Sequence, residues 1–303
     1  MKEIVIIGAG PAGMTAAIYA SDAGLSVKLI ERGMYGGQMT TTALIDNYPG
    51  SPGIPGWELS ERMYESVKSS GVSITTDNAV SIEKDGDGFI VNCQKGSYKA
   101  DAVIIANGVT RRKLRIPGEE ELKGRGVSYC AVCDGNFFRG KEVAVVGGGN
   151  SALEDASYLA GICSKVYLIH RRDEVRADDK YLRSAKSFSN IEFIMSHIPV
   201  SIKGEERTEG IEIRDLKTGK EKTVSVSGVF IATGLDAENE RFSPLVSLTE
   251  KGYIEANEDT VTSCPGIFAA GDTREKKLRQ IVTACADGAV AAKQALDYVN
   301  RLK

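Results

Sequence analysis

No segment of this 303-residue chain holds a run of roughly 18 apolar residues, so the sequence offers no transmembrane helix. A dominant charge of one sign is also missing. Lys and Arg number 38 against 41 Asp and Glu, a net charge of −3, so no global field draws in nucleic acid or an anionic membrane. Histidine is scarce. His170 and His197 stand unpaired and far in sequence from the Cys130/Cys133 pair, which leaves little from which to build a metal site. Six cysteines in 303 residues do not make a secreted disulfide framework. Residues 1–8 run straight into a strand pattern and lack a signal peptide's cleavage region. A cytoplasmic protein that binds neither nucleic acid nor membrane is expected.

What the chain holds in excess is glycine, 33 residues, many set in turns after apolar runs as nucleotide-binding α/β proteins require. The β-branched run over residues 4–7 reads as a buried parallel strand. It ends in Gly8-Ala9-Gly10-Pro11-Ala12-Gly13, followed by a helix over 14–23 and a strand over 26–30 that closes with Glu31. This is a complete dinucleotide fingerprint in its βαβ context. Gly8 permits the tight turn, Gly10 lets backbone approach a pyrophosphate, Gly13 lets helix and strand pack, and the helix N-terminus offers free N–H groups. Glu31, 23 residues after Gly8, can accept from a ribose with free hydroxyls and disfavours a 2′-phosphate.

Between this unit and the next, Gly36-Gly37-Gln38-Met39-Thr40-Thr41-Thr42 and Asn47-Tyr48-Pro49-Gly50 suit a loop held against a ligand, or a plain polar surface loop. Residues 57–70 read as an amphipathic helix and 72–105 as a β-meander turning at Asp85-Gly86-Asp87-Gly88. The strand into Ala106-Asn107-Gly108 ends in small residues that can crowd a cofactor or merely turn. Basic Arg111-Arg112-Lys113 and acidic Glu119-Glu120-Glu121 flank a turn and mark a connector with a solvated face.

The first fingerprint then recurs. Gly147, Gly149 and Ala152 repeat Gly8, Gly10 and Gly13 at a constant offset of 139, within Gly147-Gly148-Gly149-Asn150-Ser151-Ala152. Where the first copy has Glu31, the second has His170, Arg171 and Arg172, with Arg176 beyond. An Arg cluster suits a 2′-phosphate, so copy one reads as an FAD site and copy two as an NADPH site. His170 reads as a space-filling or ribose-side contact. Residues 191–234 alternate again and end in Ile231-Ala232-Thr233-Gly234; 235–244 reads as a return connector. Gly271-Asp272 ends a late strand, where an acid can accept from a polyol hydroxyl, although such turns are common. Arg279-Gln280-Ile281 opens a long Ala-rich helix reaching about 302.

Ahead of the second fingerprint lies Cys130-Ala131-Val132-Cys133-Asp134-Gly135. A Cys-x-x-Cys pair closes a small disulfide ring or grips half of a zinc ion. The solitary Cys93, Cys163, Cys264 and Cys285 supply no second ligand pair, and two nucleotide signatures could deliver electrons, so redox chemistry is favoured. Asp134 is placed to shuttle a proton for a cysteine, or to cap the following turn. The predicted fold class is α/β, with two Rossmann-like, three-layer ββα dinucleotide-binding domains and the second inserted into the first. The expected boundaries are 1–112 with 243–303 for the FAD domain, and 113–242 for the NADPH domain.

The two fingerprints, Gly36-Gly37-Gln38, Cys130 to Asp134, His170-Arg171-Arg172 with Arg176, Gly271-Asp272 and Arg279-Gln280 together resemble the low-molecular-weight NADPH-dependent thioredoxin reductases, and the likeness spans essentially the whole chain. The resemblance implies a cytoplasmic homodimer in which electrons pass from NADPH to FAD to the Cys130/Cys133 disulfide to thioredoxin. It implies that Cys133 faces the flavin, that Cys130 attacks thioredoxin, and that the inserted domain swivels to present disulfide and NADPH alternately. It adds Arg32, Thr41, Asn47, Val80, Ala106, Gly108 and Ile281 to the FAD contacts, and Ile231 and Gly234 to those of NADPH. Two departures stand out. Ala106-Asn107-Gly108 replaces the usual Ala-Thr-Gly, and Asn136 precedes Phe137-Phe138 where some members have an aromatic. Rival readings keep the chemistry with a peroxiredoxin-system or other thioredoxin-like acceptor, take NADH or ferredoxin as donor, or make the chain a non-enzymatic zinc or redox-sensing module.

Overall fold

Ile4, Val5 and Ile6 have no solvent exposure, as the middle strand of a parallel sheet covered on both faces requires. In the computed structural model, which describes residues 2–42, 45 and 47–302 apart from the side chains of Thr41 and Cys133, that strand is Glu3–Ile7. It is central to a five-stranded parallel sheet ordered Ile267–Ala269, Ala102–Ile105, Glu3–Ile7, Ser26–Glu31, Ile74–Thr76. Register aligns Ile7 with Ile30 on one side and Ile105 on the other, and Ile105 with Ala269. Four strands therefore run out at about one level, with Gly8, Glu31, Ala106 and Ala270 side by side at their carboxyl ends.

One face of this sheet packs against helices Pro11–Asp22, Gly56–Ser69 and Ile281–Arg301 through a core that includes Met14, Leu29, Ile104 and Ala291. The first and last of these helices touch closely at Gly288, where a methyl group would sit 2.2 Å from the Ala12 carbonyl oxygen. The other face is covered by an antiparallel sheet of Ala79–Asp85, Gly88–Cys93 and Ser97–Ala100, whose Ile82, Phe89 and Val91 are buried on Val5, Ile30 and Val103. Asp85 pairs with Gly88, so Gly86 and Asp87 form the expected tight turn. Alternation over 72–105 thus covers two sheets, the parallel one at both ends and the antiparallel one between.

The second unit repeats this plan. Its parallel sheet runs Val127–Ser128, Gly228–Ala232, Glu142–Gly147, Lys165–Ile169, Ile191–Ile194. Helices Asn150–Ala160 and Asp179–Lys186 lie on one face, and the antiparallel strands His197–Lys203, Gly210–Asp215 and Glu221–Ser225 lie on the other. The outer strand that Ile267–Ala269 supplies in the first sheet is supplied here by Val127–Ser128, which leads into Cys130. Both units are three-layer ββα dinucleotide-binding folds.

The chain divides into Met1–Thr110 with Asp236–Lys303, and Arg111–Leu235. The return crossing therefore lies before Asp236, earlier than the expected 242/243. Phe242 is packed in the core beside Val5 and Ile105, and the fully buried Asn239 donates its Nδ2 to the carbonyls of Gly252 and Thr273, each at 3.0 Å. The outgoing crossing falls after Thr110 rather than after 112: Thr110 Oγ1 donates to Asp236 O in the first unit, while Arg112 N–H donates to Gly234 O in the second. Among the described residues no helix is long and apolar enough to cross a membrane.

Candidate functional site

At the carboxyl end of the first sheet the fingerprint turn takes a left-handed step at Gly8 (φ 105°), where a Cβ would meet the Ala106 carbonyl oxygen at 2.4 Å. Glu31 is held over this turn by Ala9 N–H at 2.7 Å and Gly33 N–H at 3.0 Å. Gly36 N–H donates to Ala9 O at 2.7 Å, which folds Gly36-Gly37 onto the fingerprint beside Gly10. Gly10 precedes helix Pro11–Asp22 with open space beside it and no side-chain cap, so the first-turn N–H groups face an open cradle of the kind that receives a pyrophosphate.

Around that cradle, Gln38 Nε2 donates to Val109 O at 2.6 Å and Asn47 Nδ2 to Gln280 Oε1 at 2.8 Å, which draws Asn47 to the start of the last helix, where Ile281 is partly buried. Arg279 approaches the Asp272 carbonyl and lies over the Tyr253 ring, 4.1 Å from its centroid. Asp272 Oδ1 is buried and has no hydrogen-bond partner among the described residues. Burial raises the Asp272 pKa, against the pull of Lys276 and Arg279. An orphaned carboxylate oxygen beside an open glycine cradle fits a bound polyol-pyrophosphate chain such as that of FAD. Ala106 is buried, Gly108 adopts φ 65°, and Val80 is exposed at an irregularity in its strand. Thr41 lies in the turn Gly37–Thr41, its side chain outside the described residues.

The same end opens into a small cleft that brings Glu31 and Arg32 together with Asp77, Asn78, Asn107 and Arg241. Arg32 pairs with Glu238 at 2.6 Å. Arg241 donates to Asn78 Oδ1 at 3.3 Å and leaves its buried Nε unpartnered among the described residues. Asp77, Asn78 and Arg241 escaped sequence reading, because no motif links positions so far apart.

In the second unit Gly149 again stands in open space before an uncapped helix, Asn150–Ala160. Gly147 packs on Ala152 and Ala232, while Ser151 is exposed. A Cβ on Gly148 would lie 2.3 Å from His170 Nδ1, so the imidazole lies directly against the turn. His170 is buried, its Nε2 has no partner among the described residues, and burial followed by Arg176, Arg171 and Arg172 lowers its pKa. Arg176 N–H donates to Gly148 O at 2.7 Å, which pins the arginine loop to the glycine turn and leaves all three guanidinium side chains exposed beside it. That collection of cations suits an anionic group such as a nucleotide phosphate. Asn150 and Asp178 bind each other, Nδ2 to Oδ2 at 3.0 Å and Asp178 N–H to Oδ1 at 2.9 Å. Gly234 is exposed at the strand exit, but Ile231 is 2% exposed within the second core, so its side chain cannot line a binding surface and only its backbone can serve there.

The cysteine element leaves the outer strand Val127–Ser128 at this same carboxyl end. Cys130 is disulfide-bonded, whereas Cys93, Cys163, Cys264 and Cys285 are free thiols. A sulfur in a disulfide is not a thiolate zinc ligand, which removes the metal reading for Cys130 in this form. Cys133 lies in the short helix Ala131–Asp134. Asp134 immediately precedes the turn Gly135–Phe138 but makes no side-chain cap there. Its Oδ2 instead accepts from Ser128 Oγ at 2.5 Å.

Residues 2–288 match the family model described as pyridine nucleotide-disulphide oxidoreductase.

The chain belongs to that family.

Within it the chain falls in the low-molecular-weight thioredoxin reductase class. It is 46% identical over 304 aligned positions to the thioredoxin reductase of Bacillus subtilis, covering 99% of this chain and 96% of that one. It is similar to the crystal structure of Lactococcus lactis thioredoxin reductase, at 44% identity, a TM-score of 0.85 and 99% coverage of each chain. A ferredoxin-flavin thioredoxin reductase structure from Clostridium acetobutylicum is more distant, at 30% identity and a TM-score of 0.56, with coverage of 100% and 99%. Members of this oxidoreductase family use a flavin and a pyridine nucleotide, and the two open glycine cradles are where this chain can hold them.

Proposed function

We propose an electron route for this thioredoxin-disulfide reductase: from NADPH, by way of FAD, to the Cys130/Cys133 disulfide and on to thioredoxin. The observation that carries it is the disulfide-bonded Cys130 at the carboxyl end of the second sheet, the end that also bears the second glycine turn. When bound, the flavin supplies two-electron transfer between a nicotinamide and a disulfide.

The chain's own residues do the rest. Gly8, Gly10, Pro11, Ala12 and Gly13 receive the flavin's pyrophosphate, Glu31 its ribose, and Asp272 with Arg279 the polyol end. Gly147, Gly149, Asn150, Ser151 and Ala152 receive the nicotinamide nucleotide, and Arg171, Arg172 and Arg176 its 2′-phosphate. Once reduced, Cys130 attacks thioredoxin as the thiolate. A mixed Cys130–thioredoxin disulfide forms, the partner's disulfide breaks, and its second sulfur leaves as thiolate. Cys133 then attacks Cys130, re-forming the ring and releasing reduced thioredoxin. Asp134 takes a thiol proton as the attacking thiolate forms and returns it to a leaving thiolate. A homodimer and a cytoplasmic location belong to the same proposal, supported by likeness to the thioredoxin reductases.

The test is NADPH-dependent reduction of thioredoxin by the purified protein, with NADH and reduced ferredoxin as competing donors. Cys130→Ser is expected to abolish thioredoxin reduction and keep NADPH-dependent ferricyanide reduction. Equal turnover with NADH, or turnover with ferredoxin alone, contradicts the donor assignment.

A further inference from the structure

Ser128 is buried, 5% exposed, at the end of the outer strand of the second sheet, with Phe230 opposite it in register. Its hydroxyl stands at the centre of three polar contacts. Cys130 N–H donates to Ser128 Oγ at 3.0 Å, Asp134 Oδ2 lies 2.5 Å away, and Cys130 O lies 3.3 Å away. A hydroxyl has one hydrogen to donate and two lone pairs to receive. With Asp134 ionised, that hydrogen belongs on the carboxylate, because a charge-assisted bond at 2.5 Å outweighs a 3.3 Å contact to a neutral carbonyl. With Asp134 protonated the pattern can reverse: the carboxyl donates to Ser128 Oγ, and the serine hydrogen turns to Cys130 O. Both arrangements keep every group bonded, with no movement beyond rotation of one hydroxyl.

We propose that Ser128 is the positioning residue for Asp134, a hydroxyl rotor that keeps the carboxyl hydrogen-bonded both before and after it takes a proton. The proposal rests on the reading of Asp134 as the proton carrier for the cysteine pair. A carboxyl held by a fixed donor alone resists protonation, and one held by a fixed acceptor alone resists ionisation. A hydroxyl beside it stays bonded to either form, and holds the ionised one more strongly because that bond is charge-assisted. Among the described residues Ser128 is the side chain bonded to this carboxylate. Other titratable or charged groups lie on the neighbouring elements. Tyr129 donates to Glu119 at 2.6 Å, Arg139 to Asn136 at 3.0 Å, and Glu154, Asp155 and Tyr158 belong to the helix that packs on Ala131–Asp134.

The experiment mixes pre-reduced holoenzyme with oxidised thioredoxin in a stopped-flow instrument across a pH series. The acid limb that disappears in Asp134→Asn is the one that belongs to Asp134. In Ser128→Ala the ionised carboxylate loses its donor, so that limb is expected to move to higher pH by about one unit. The isosteric pair Ser128→Thr and Ser128→Val separates hydroxyl from shape. Thr is expected to keep the wild-type limb and Val to shift it as Ala does. An unmoved limb in Ala and Val, with the rate merely scaled down, overturns the proposal. So does loss of fold in both hydroxyl-free variants, judged by circular dichroism, since that makes the hydroxyl a structural requirement. If Asp134→Asn itself leaves rate and profile unchanged, the reading of Asp134 fails, and this inference fails with it for that separate reason.

Discussion

Arg274 grips Asp287 with two bonds, Nε to Oδ2 at 2.8 Å and Nη2 to Oδ1 at 2.9 Å, and both side chains are almost wholly removed from solvent. Lys276 adds a third contact at 2.8 Å, and Gly271 N–H donates to the same carboxylate at 2.9 Å. Asp287, inside the last helix, therefore anchors the turn that carries Asp272.

Removing that anchor takes the buried carboxylate from Lys276 and leaves Arg274 with the exposed Glu258 at 3.3 Å. Asp287→Ala is expected to cost about 3–5 kcal/mol of stability, as broken buried pairs do, and to weaken flavin retention. Burial alone would raise the Asp287 pKa, but Arg274 and Lys276 hold it below its ordinary value. That stability is present above the ordinary carboxylate range and is lost as pH falls below it. Thermal melts across acid pH check this: wild type should lose more stability on acidification than the variant.

The arginine loop sets a second expectation. Arg171, Arg172 and Arg176 are exposed beside the second glycine turn. Arg172→Ala should weaken NADPH binding by about 10- to 100-fold, the worth of one charge-assisted contact. It should leave NADH binding nearly unchanged. Titration of both nucleotides against variant and parent reads the ratio, and an equal loss for both would contradict a 2′-phosphate role.

Asp155 yields a third. Burial pushes its carboxyl up to about 6, against the pull of Arg111 and with a smaller push from Glu154. A raised acid pKa means stability that is whole below the ordinary value and is lost as pH rises through about 6. Asp155→Asn should therefore raise stability by roughly 2–3 kcal/mol near pH 8 and by little near pH 3. Denaturant melts at the two pH values decide it.

How much of this was legible in the sequence follows from how local each signal is. Both fingerprints and their strands could be read because a glycine turn, a helix and a following strand lie within one short stretch. The alternating segments revealed strands but not that each segment serves two sheets, since pairing depends on partners distant in the chain. The return crossing was placed too late because nothing local marks Phe242 as a core residue of the first unit. That the Ile231 side chain packs into the second core follows from its place in a central parallel strand buried on either face. Asp77, Asn78 and Arg241 share a cleft only after folding. Ser128 lies two positions before Cys130, yet only the turn of the short helix brings Asp134 back to it.

The central claim is that the chain stores electrons in a bound flavin and in the Cys130/Cys133 disulfide. Anaerobic titration of the FAD-reconstituted protein with NADPH, followed by flavin absorbance, tests it most directly. The account predicts uptake of about four electrons per chain by the parent, two for flavin and two for disulfide, and about two by Cys133→Ser. Failure to bind flavin, or equal uptake by parent and variant, would contradict it.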